Sequence, residues 1–143
     1  MRIAKTAPKI PNGEKDTYMR VAVVGSRRLY GNAYEIIKAN IPANTSEIIS
    51  GGAVGVDALA ERYAKENGIR FRAFLPDYDK NGRNAPLIRN IEIIKNAQLV
   101  LAFWDGYSRG TAFTIAKCVD MGVPVKVIRM ENREGKNENG KTN

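Results

Sequence analysis

The 143-residue chain carries 23 Lys and Arg residues against 15 Asp and Glu, a formal net charge of +8, and 43% of its residues are hydrophobic. This length supports one domain with its own core, and the hydrophobic content argues against wholesale disorder. No apolar run approaches the roughly 20 residues of a membrane span, and the N-terminus lacks the apolar stretch of a signal peptide. We therefore expect a cytoplasmic protein that does not enter a membrane.

The side chains present also limit the chemistry. The chain has no histidine, and Cys118 is its only cysteine. An intramolecular disulfide, a cysteine zinc site and every histidine-based relay or metal site are thereby excluded. Catalysis would have to use carboxylates, Arg or Lys, hydroxyls or the backbone, and whether the protein is an enzyme stays open. We expect neither a bound metal ion nor a resident cofactor.

The basic character of the chain indicates an anionic partner, such as a phosphate ligand or nucleic acid. Residues 1–20 hold five Lys and Arg against two acidic residues, and residues 21–128 hold fourteen against ten. Solubility explains such a distribution about as often as an anionic partner does, so charge alone selects no function.

Apolar runs and helical patterns alternate along the chain. In chain order they predict a strand at 20–25, a helix at 32–40, a strand at 46–50, a helix at 54–67, a strand at 69–75, a helix at 85–96, a strand at 99–104, a helix at 109–121 and a strand at 124–128. The first strand is a nearly continuous Val-rich run, as expected for a strand that is covered on both faces. The alternation predicts an α/β domain with a mainly parallel sheet of about five strands and helices on both faces.

The ends of the chain differ from this central domain at 20–130. Residues 1–19 form a basic extension and residues 131–143 a polar tail, and neither shows a periodic apolar face. We expect both to be flexible. Nothing in the sequence selects an oligomeric state, so a homo-oligomer stays open.

Right-handed crossovers place the carboxyl ends of parallel strands along one edge of the sheet, where open sheets bind ligands. The first segment at this edge is Gly25-Ser26-Arg27. Gly25 lets a phosphate approach the backbone, Ser26 offers a hydroxyl, and Arg27 can pair with a phosphate. A plain turn with solvated arginines explains the segment about equally well.

The second segment joins a strand to a helix through Ser50, Gly51, Gly52 and Gly55. Glycines in this position leave N–H groups directed at the open edge, and the helix dipole strengthens such a phosphate-binding loop. The segment matches neither the G-x-G-x-x-G fingerprint nor a Walker A loop. Asp57, in the first turn of the helix, either binds a ribose hydroxyl or complements the helix dipole.

The third segment is the pair Arg89 and Asn90 on the third predicted helix. Asn90 shares a face with the apolar stripe of that helix, so its side chain needs a hydrogen-bond partner. The spacing favours a neighbouring loop over a ligand for that role.

The fourth segment follows the fourth predicted strand. Ser108 is a candidate N-cap, Gly110 admits close approach of a ligand, and Thr111 and Thr114 share a helical face. Capping accounts for Ser108 but not for both threonines.

Together the four segments resemble the SLOG superfamily, and its small YspA/YpsA-type members in particular. They read G-S-R, S-G-G-A-x-G-x-D, R-N and S-x-G-T-x-x-T, in this order over about residues 20–128. The resemblance implies a Rossmann-like sheet that binds a nucleotide or a nucleotide-derived ligand. The positions that it implies in ligand contact are Gly25, Ser26, Arg27, Gly51, Gly52, Asp57, Arg89, Gly110 and Thr111.

Two relatives within the superfamily suggest alternatives. The Lonely Guy phosphoribohydrolases split a base from a nucleoside monophosphate and carry P-G-G-x-G-T-x-x-E. This chain has Thr114 at the glutamate position, and a threonine cannot act as the carboxylate. The DNA-processing protein A family shares S-G-G-A-x-G-x-D and binds single-stranded DNA, but the histidine that follows its motif is absent here.

We therefore predict a protein that binds a nucleotide-like small molecule at the carboxyl edge of the sheet, with a role as sensor or carrier left open. The phosphate is expected on the backbone of residues 51–55 and 110–111, with Arg27 and Arg89 supplying positive charge. One alternative is a hydrolase that cleaves an N-glycosidic or related bond with Asp57 as the acid or base. The other is a protein that binds single-stranded nucleic acid along its basic edge, a partner that we favour less.

Overall fold

The computed structural model of the chain describes residues 18–29 and 31–131. The extensions predicted at 1–19 and 131–143 lie almost wholly outside these residues, so their flexibility stays a prediction. In the part of the chain that is described, no helix is long and apolar enough to cross a membrane.

The described residues form five strands and five helices, and at least one helix separates each strand from the next. The strands are β1 (Met19–Gly25), β2 (Thr45–Ser50), β3 (Arg70–Ala73), β4 (Leu99–Trp104) and β5 (Val125–Arg129). The helices are α1 (Ala33–Asn40), α2 (Val56–Glu66), α3 (Tyr78–Asn81), α4 (Ala85–Asn96) and α5 (Arg109–Met121), with a 3₁₀ turn (Gly82–Asn84) between α3 and α4.

The five strands form one parallel sheet in the order β3-β2-β1-β4-β5. From β1 the chain moves outward to β3, and it then crosses back to β4 on the other side of β1. The carboxyl ends of β1 and β4 are direct neighbours, since Gly25 pairs with Phe103. These two ends flank the topological switch point, which is where open α/β sheets bind ligands.

Each face of the sheet carries its own apolar layer. The layer on one face contains Ile37 of α1 and Val56 of α2, and the layer on the other face contains Ile94 of α4 and Cys118 of α5. Residues of β1 alternate between the two layers, which explains why its sequence is a continuous apolar run. The predicted α/β fold with a parallel sheet and helices on both faces is confirmed.

The largest difference from the predicted elements lies between β3 and α4. The third strand ends at Ala73 and not at residue 75, and residues 78–84 form α3 and the 3₁₀ turn, where no element was predicted. Helix α3 has only four residues, and the carboxylate of Asp77 caps it by accepting the backbone N–H of Lys80 at 3.1 Å. An element this short has no amphipathic period, so a periodicity argument does not detect it.

Candidate functional site

A cleft of about 220 Å³ opens at the switch point between β1 and β4. Ten of the fourteen predicted site residues lie on its wall: Gly25, Arg27, Gly51, Asp57, Arg89, Asn90, Ser108, Gly110, Thr111 and Thr114. Four do not: Ser26, Ser50, Gly52 and Gly55. The fold thus brings parts of all four sequence segments into one cavity.

Gly25 at the end of β1 allows three elements to meet beneath the cleft. A Cβ atom at this position would lie 2.6 Å from the carbonyl oxygen of Phe103 and 2.8 Å from Cγ2 of Val56. Both distances are shorter than real carbon contacts, so any other residue would push β4 and α2 away. We predicted that Gly25 lets a phosphate approach the backbone, but the close packing of β1 against β4 and α2 already requires a glycine here.

Ser26 is buried and does not face the cleft. Its Oγ accepts the backbone N–H of Asp105 at 3.3 Å, and its carbonyl oxygen accepts the N–H of Val56 at 3.3 Å. The hydroxyl that was predicted for a ligand therefore connects the β1 loop to the β4 loop. Arg27 is exposed on the rim of the cleft, as its predicted role requires.

Each of the three glycines of the β2–α2 loop is needed for a different structural reason. A Cβ at Gly51 would lie 2.7 Å from Nη1 of Arg89, so this glycine leaves room for the guanidinium. Gly52 and Gly55 have φ angles of 72° and 80°, which side chains rarely adopt. A Cβ at Gly52 would meet Leu75 rather than the cleft, and one at Gly55 would collide with the backbone of Arg27.

Asp57 is 7% exposed at the base of the cleft. Its Oδ2 accepts the backbone N–H of Ala53 at 3.0 Å, which closes the β2–α2 loop over the start of α2. Burial raises the pKa of the Asp57 carboxyl, while the N–H of Ala53 and the positive charge of Arg89 act in the opposite direction. The carboxylate therefore shapes the loop, and it remains part of the cleft wall.

Arg89 reaches from α4 across the ends of β2 and β3. Its Nη1 donates to the carbonyl oxygens of Gly51 at 2.7 Å and Phe74 at 3.2 Å, and its Nε donates to Oδ1 of Asn90 at 2.8 Å. Burial lowers the pKa of the guanidinium, and the charge of Asp57 opposes this effect. The partner of Asn90 is thus the adjacent Arg89 side chain, not the neighbouring loop that the spacing favoured.

The opposite wall of the cleft is the N-terminus of α5. Asp105 accepts the N–H groups of Tyr107 and Ser108 at 2.8 Å each, which forms the turn before the helix. Partial burial raises the pKa of Asp105, but hydrogen bonds from the N–H groups of Tyr107 and Ser108 and from the Ser26 side chain lower it, and the net shift is downward. Ser108 caps the helix, because its Oγ accepts the N–H of Thr111 at 3.4 Å, as predicted for an N-cap.

Gly110 and the two threonines complete this wall. The hydroxyls of Thr111 and Ser108 form a hydrogen bond, with Thr111 Oγ1 3.1 Å from Ser108 Oγ, and Thr114 Oγ1 donates to the carbonyl oxygen of Gly110 at 3.0 Å. Apart from its two chain neighbours and the backbone of α5 itself, no atom of the described residues lies within 4 Å of the position that a Cβ of Gly110 would take. Gly110 thus leaves open space directly over the first turn of α5.

Sequence reasoning missed the apolar side of the cleft, which is formed by Val24, Pro86, Leu87 and Ile93. The periodicity of α4 predicted an apolar stripe, but nothing in a local pattern shows that part of this stripe lines a cavity. It also missed Asp105, for which the Asp-Gly dipeptide after a strand is a turn signal.

The family model of the YspA, cpYpsA-related SLOG family matches residues 19–80. A search of the curated proteins finds no significant match. Among solved structures, DNA processing protein A (DprA) from Streptococcus pneumoniae is similar with a TM-score of 0.64 at 20% identity, covering 78% of this chain and 50% of that chain. DprA from Helicobacter pylori, in a structure concerned with its single-stranded DNA binding mode, has a TM-score of 0.62 at 20% identity, covering 90% of this chain and 75% of that chain.

These likenesses to DprA concern the fold, and this chain spans about half the length of the S. pneumoniae protein. The matched region runs from β1 to the end of the short helix α3, so it includes the G-S-R and S-G-G-A-x-G-x-D segments. Over residues 19–80 the chain is therefore similar to the YspA, cpYpsA-related SLOG family, which agrees with the resemblance of its ordered sequence segments.

Proposed function

We propose that the chain binds a nucleotide or a nucleotide-derived phosphate ligand in the cleft at the switch point. The observation that carries the proposal is the open space at Gly110, over the N-terminus of α5 and inside a cleft that also contains Arg27 and Arg89. The first N–H groups of a helix lack partners within the helix, and the helix dipole favours negative charge there. A phosphate in this space would place its negative charge next to the N-terminus of α5, in the same cleft as Arg27 and Arg89.

The remaining polar groups of the cleft suit a sugar phosphate. Nη2 of Arg89 has no hydrogen-bond partner among the described residues, so it is available for a phosphate or a hydroxyl. Asp57 lies on the cleft wall opposite α5, where a carboxylate accepts hydrogen bonds from ribose hydroxyls. In this arrangement the phosphate lies at α5, the ribose lies over Asp57 and Arg89, and the base extends along α4.

A substitution at Gly110 tests the proposal without straining the fold. Gly110 has an ordinary φ and open space around it, so Gly110→Leu keeps or raises the free energy of unfolding, because leucine favours helix over glycine by roughly 0.5–1 kcal/mol. The leucine side chain fills the phosphate space. We expect the affinity for ribose 5-phosphate and for nucleoside 5′-monophosphates, measured by calorimetry, to fall by about tenfold or more, as for the loss of a charge-assisted hydrogen bond.

Ala116→Leu is the matched control, because Ala116 is exposed on α5 away from the cleft. It adds the same side chain to the same helix, and ligand affinity is expected to stay unchanged. Wild-type protein that binds none of these compounds more tightly than about 1 mM, or a Gly110→Leu variant that binds as well as wild type, contradicts the proposal.

A second candidate is binding of single-stranded nucleic acid along the same edge. It is favoured by the likeness to H. pylori DprA, whose structure concerns single-stranded DNA binding. The rim of the cleft carries the exposed cations Arg27, Arg28 and Arg109, and Tyr107 beside them is 84% exposed. Exposed cations and an aromatic ring are the elements of a surface that tracks a backbone and stacks bases.

A further inference from the structure

A second cavity of about 250 Å³ lies on the far side of Arg89, between the end of β3, α3 and α4. Its apolar wall is formed by Phe74, Leu75, Ala85 and Ile88. None of these residues was singled out by the sequence, and none of them lines the cleft.

The second cavity adjoins the cleft through one side chain, because Arg89 lines both. The guanidinium is fixed between them by its hydrogen bonds to the carbonyl oxygens of Gly51 and Phe74. Leu75 of the second cavity also faces the β2–α2 loop, since a Cβ at Gly52 would lie 2.8 Å from its Cδ2. Arg89 is thus the side chain that the walls of the two cavities share.

Two of the apolar side chains that line the second cavity are exposed to solvent. Leu75 is 68% exposed and Ile88 is 38% exposed. The polar rim offers both donors and acceptors, with Lys80 and Asn81 on one side and Glu92 on α4. An apolar surface bordered by a few donors and acceptors suits a flat ring that has hydrogen-bonding groups on its edge.

The sizes of the two spaces favour a ligand that spans them. Sites for drug-sized ligands typically measure about 300–1,000 Å³. The cleft at about 220 Å³ and the second cavity at about 250 Å³ each fall below this range, but together they reach it.

We propose that the second cavity binds the nucleobase of the ligand whose phosphate lies in the cleft, with the ring on Leu75 and Ile88 and the sugar passing over Arg89. This inference rests on the proposed function and adds a base-binding subsite to it. The ligand is then a nucleotide whose base contributes to affinity, rather than any sugar phosphate.

The test compares ribose 5-phosphate, which lacks a base, with the four common ribonucleoside 5′-monophosphates in calorimetric titrations. For wild type we expect at least one nucleotide to bind about tenfold or more tightly than ribose 5-phosphate, as for one stacked base. Ile88→Trp fills the second cavity. It is expected to lower the affinity for that nucleotide to the level of ribose 5-phosphate, and to leave the affinity for ribose 5-phosphate within about twofold.

Two further variants keep the test informative. Val119→Trp on the exposed surface of α5 is the matched control and is expected to change neither affinity. Leu75→Ala removes apolar contact without filling space. It should weaken binding of the nucleotide by a smaller factor than Ile88→Trp does, and leave binding of ribose 5-phosphate unchanged. Thermal melting of each variant confirms that it is folded.

The outcomes separate this inference from the function on which it rests. If ribose 5-phosphate binds wild type but no nucleotide binds more tightly, the base does not use the second cavity, while the proposed function stands. If Ile88→Trp leaves the affinity for the nucleotide unchanged, or lowers the affinity for ribose 5-phosphate by the same factor, the proposal of a base-binding subsite is wrong. If neither class of compound binds wild type, the proposed function fails and this inference fails with it.

Discussion

Asp57 and Arg89 place opposite charges side by side at the base of the cleft, and each is held mainly by backbone groups. The carboxylate accepts the N–H of Ala53, and the guanidinium donates to the carbonyl oxygens of Gly51 and Phe74. Because these backbone partners belong to the ends of β2 and β3 and to the β2–α2 loop, the two side chains hold the loop in place before any ligand arrives. A site fixed in this way loses less conformational entropy on binding.

The burial of Asp57 leads us to predict how the free energy of unfolding depends on pH. Burial raises the folded-state pKa of Asp57 above its ordinary value of 3.8, so the folded protein holds this proton more tightly than the unfolded chain does. The stabilisation from the protonated carboxyl is complete below 3.8 and is lost as the pH rises through the folded-state pKa. An asparagine does not titrate. We therefore expect the free energy of unfolding of Asp57→Asn, relative to wild type, to increase between about pH 3 and pH 7.

Urea unfolding of both proteins across this range measures the difference, in which the other titrating groups largely cancel. A difference that stays constant with pH, or that moves in favour of wild type as the pH rises, contradicts the upward pKa shift.

Thr114 occupies the position where the resemblance to the Lonely Guy enzymes has a glutamate. Its hydroxyl is buried and donates to the carbonyl oxygen of Gly110. A hydroxyl in this role ties the first turn of α5 together, and it offers no acid or base near neutral pH. The hydrolase alternative then depends on Asp57 alone, and it stays a prediction that release of free base from a nucleoside monophosphate would test.

Much of the fold was predictable element by element, because its elements carry strong local signals. The apolar runs of β1 and β4, the Pro-started helix α4 and the Ser-capped helix α5 were predicted to within about one residue of their ends. The cleft wall was predictable where a segment follows a strand. Local patterns could not show that Ser26 turns inward to the β4 loop, or that Arg89 crosses to Gly51, because these contacts join residues far apart in the chain.

The start of α5 makes a prediction that separates stability from binding. Ser108→Ala removes the side-chain acceptor of the Thr111 N–H, and should lower the free energy of unfolding by about 0.5–2 kcal/mol. Ser108→Asp keeps an acceptor at the cap and adds a favourable charge at the helix N-terminus, so its stability should match wild type or exceed it. The same negative charge lies on the cleft wall, so this variant should bind a phosphate ligand more weakly than wild type.

Chemical denaturation gives the stabilities, and titration with ribose 5-phosphate gives the affinities. Finding that Ser108→Ala unfolds like wild type contradicts the capping role. Finding that Ser108→Asp binds phosphate as tightly as wild type contradicts the placement of the phosphate at α5.

At the scale of the whole molecule, the two candidate functions use the same edge of the sheet and differ in how many phosphates they contact. The net charge of +8 fits both. A nucleotide in the cleft places one phosphate group against α5, whereas a single strand would also run along the exposed rim at Arg28 and Arg109, which lie outside the cleft wall.

Salt dependence therefore distinguishes the two functions. For single strands, the logarithm of the binding constant falls by about 0.7 per neutralised phosphate for each tenfold increase in salt. Raising the salt from about 50 to 200 mM should weaken a one-phosphate contact by roughly two- to threefold, but a strand held at four phosphates by about 50-fold.

We expect the smaller change for a nucleoside 5′-monophosphate, and we expect poly-dT oligonucleotides of increasing length to bind no more tightly than the mononucleotide. Arg28→Gln combined with Arg109→Gln should then leave mononucleotide affinity unchanged. The nucleic-acid function is favoured instead if oligonucleotides bind more tightly with increasing length and lose about 50-fold in affinity over this salt range. Part of that salt dependence should then be lost in the double variant.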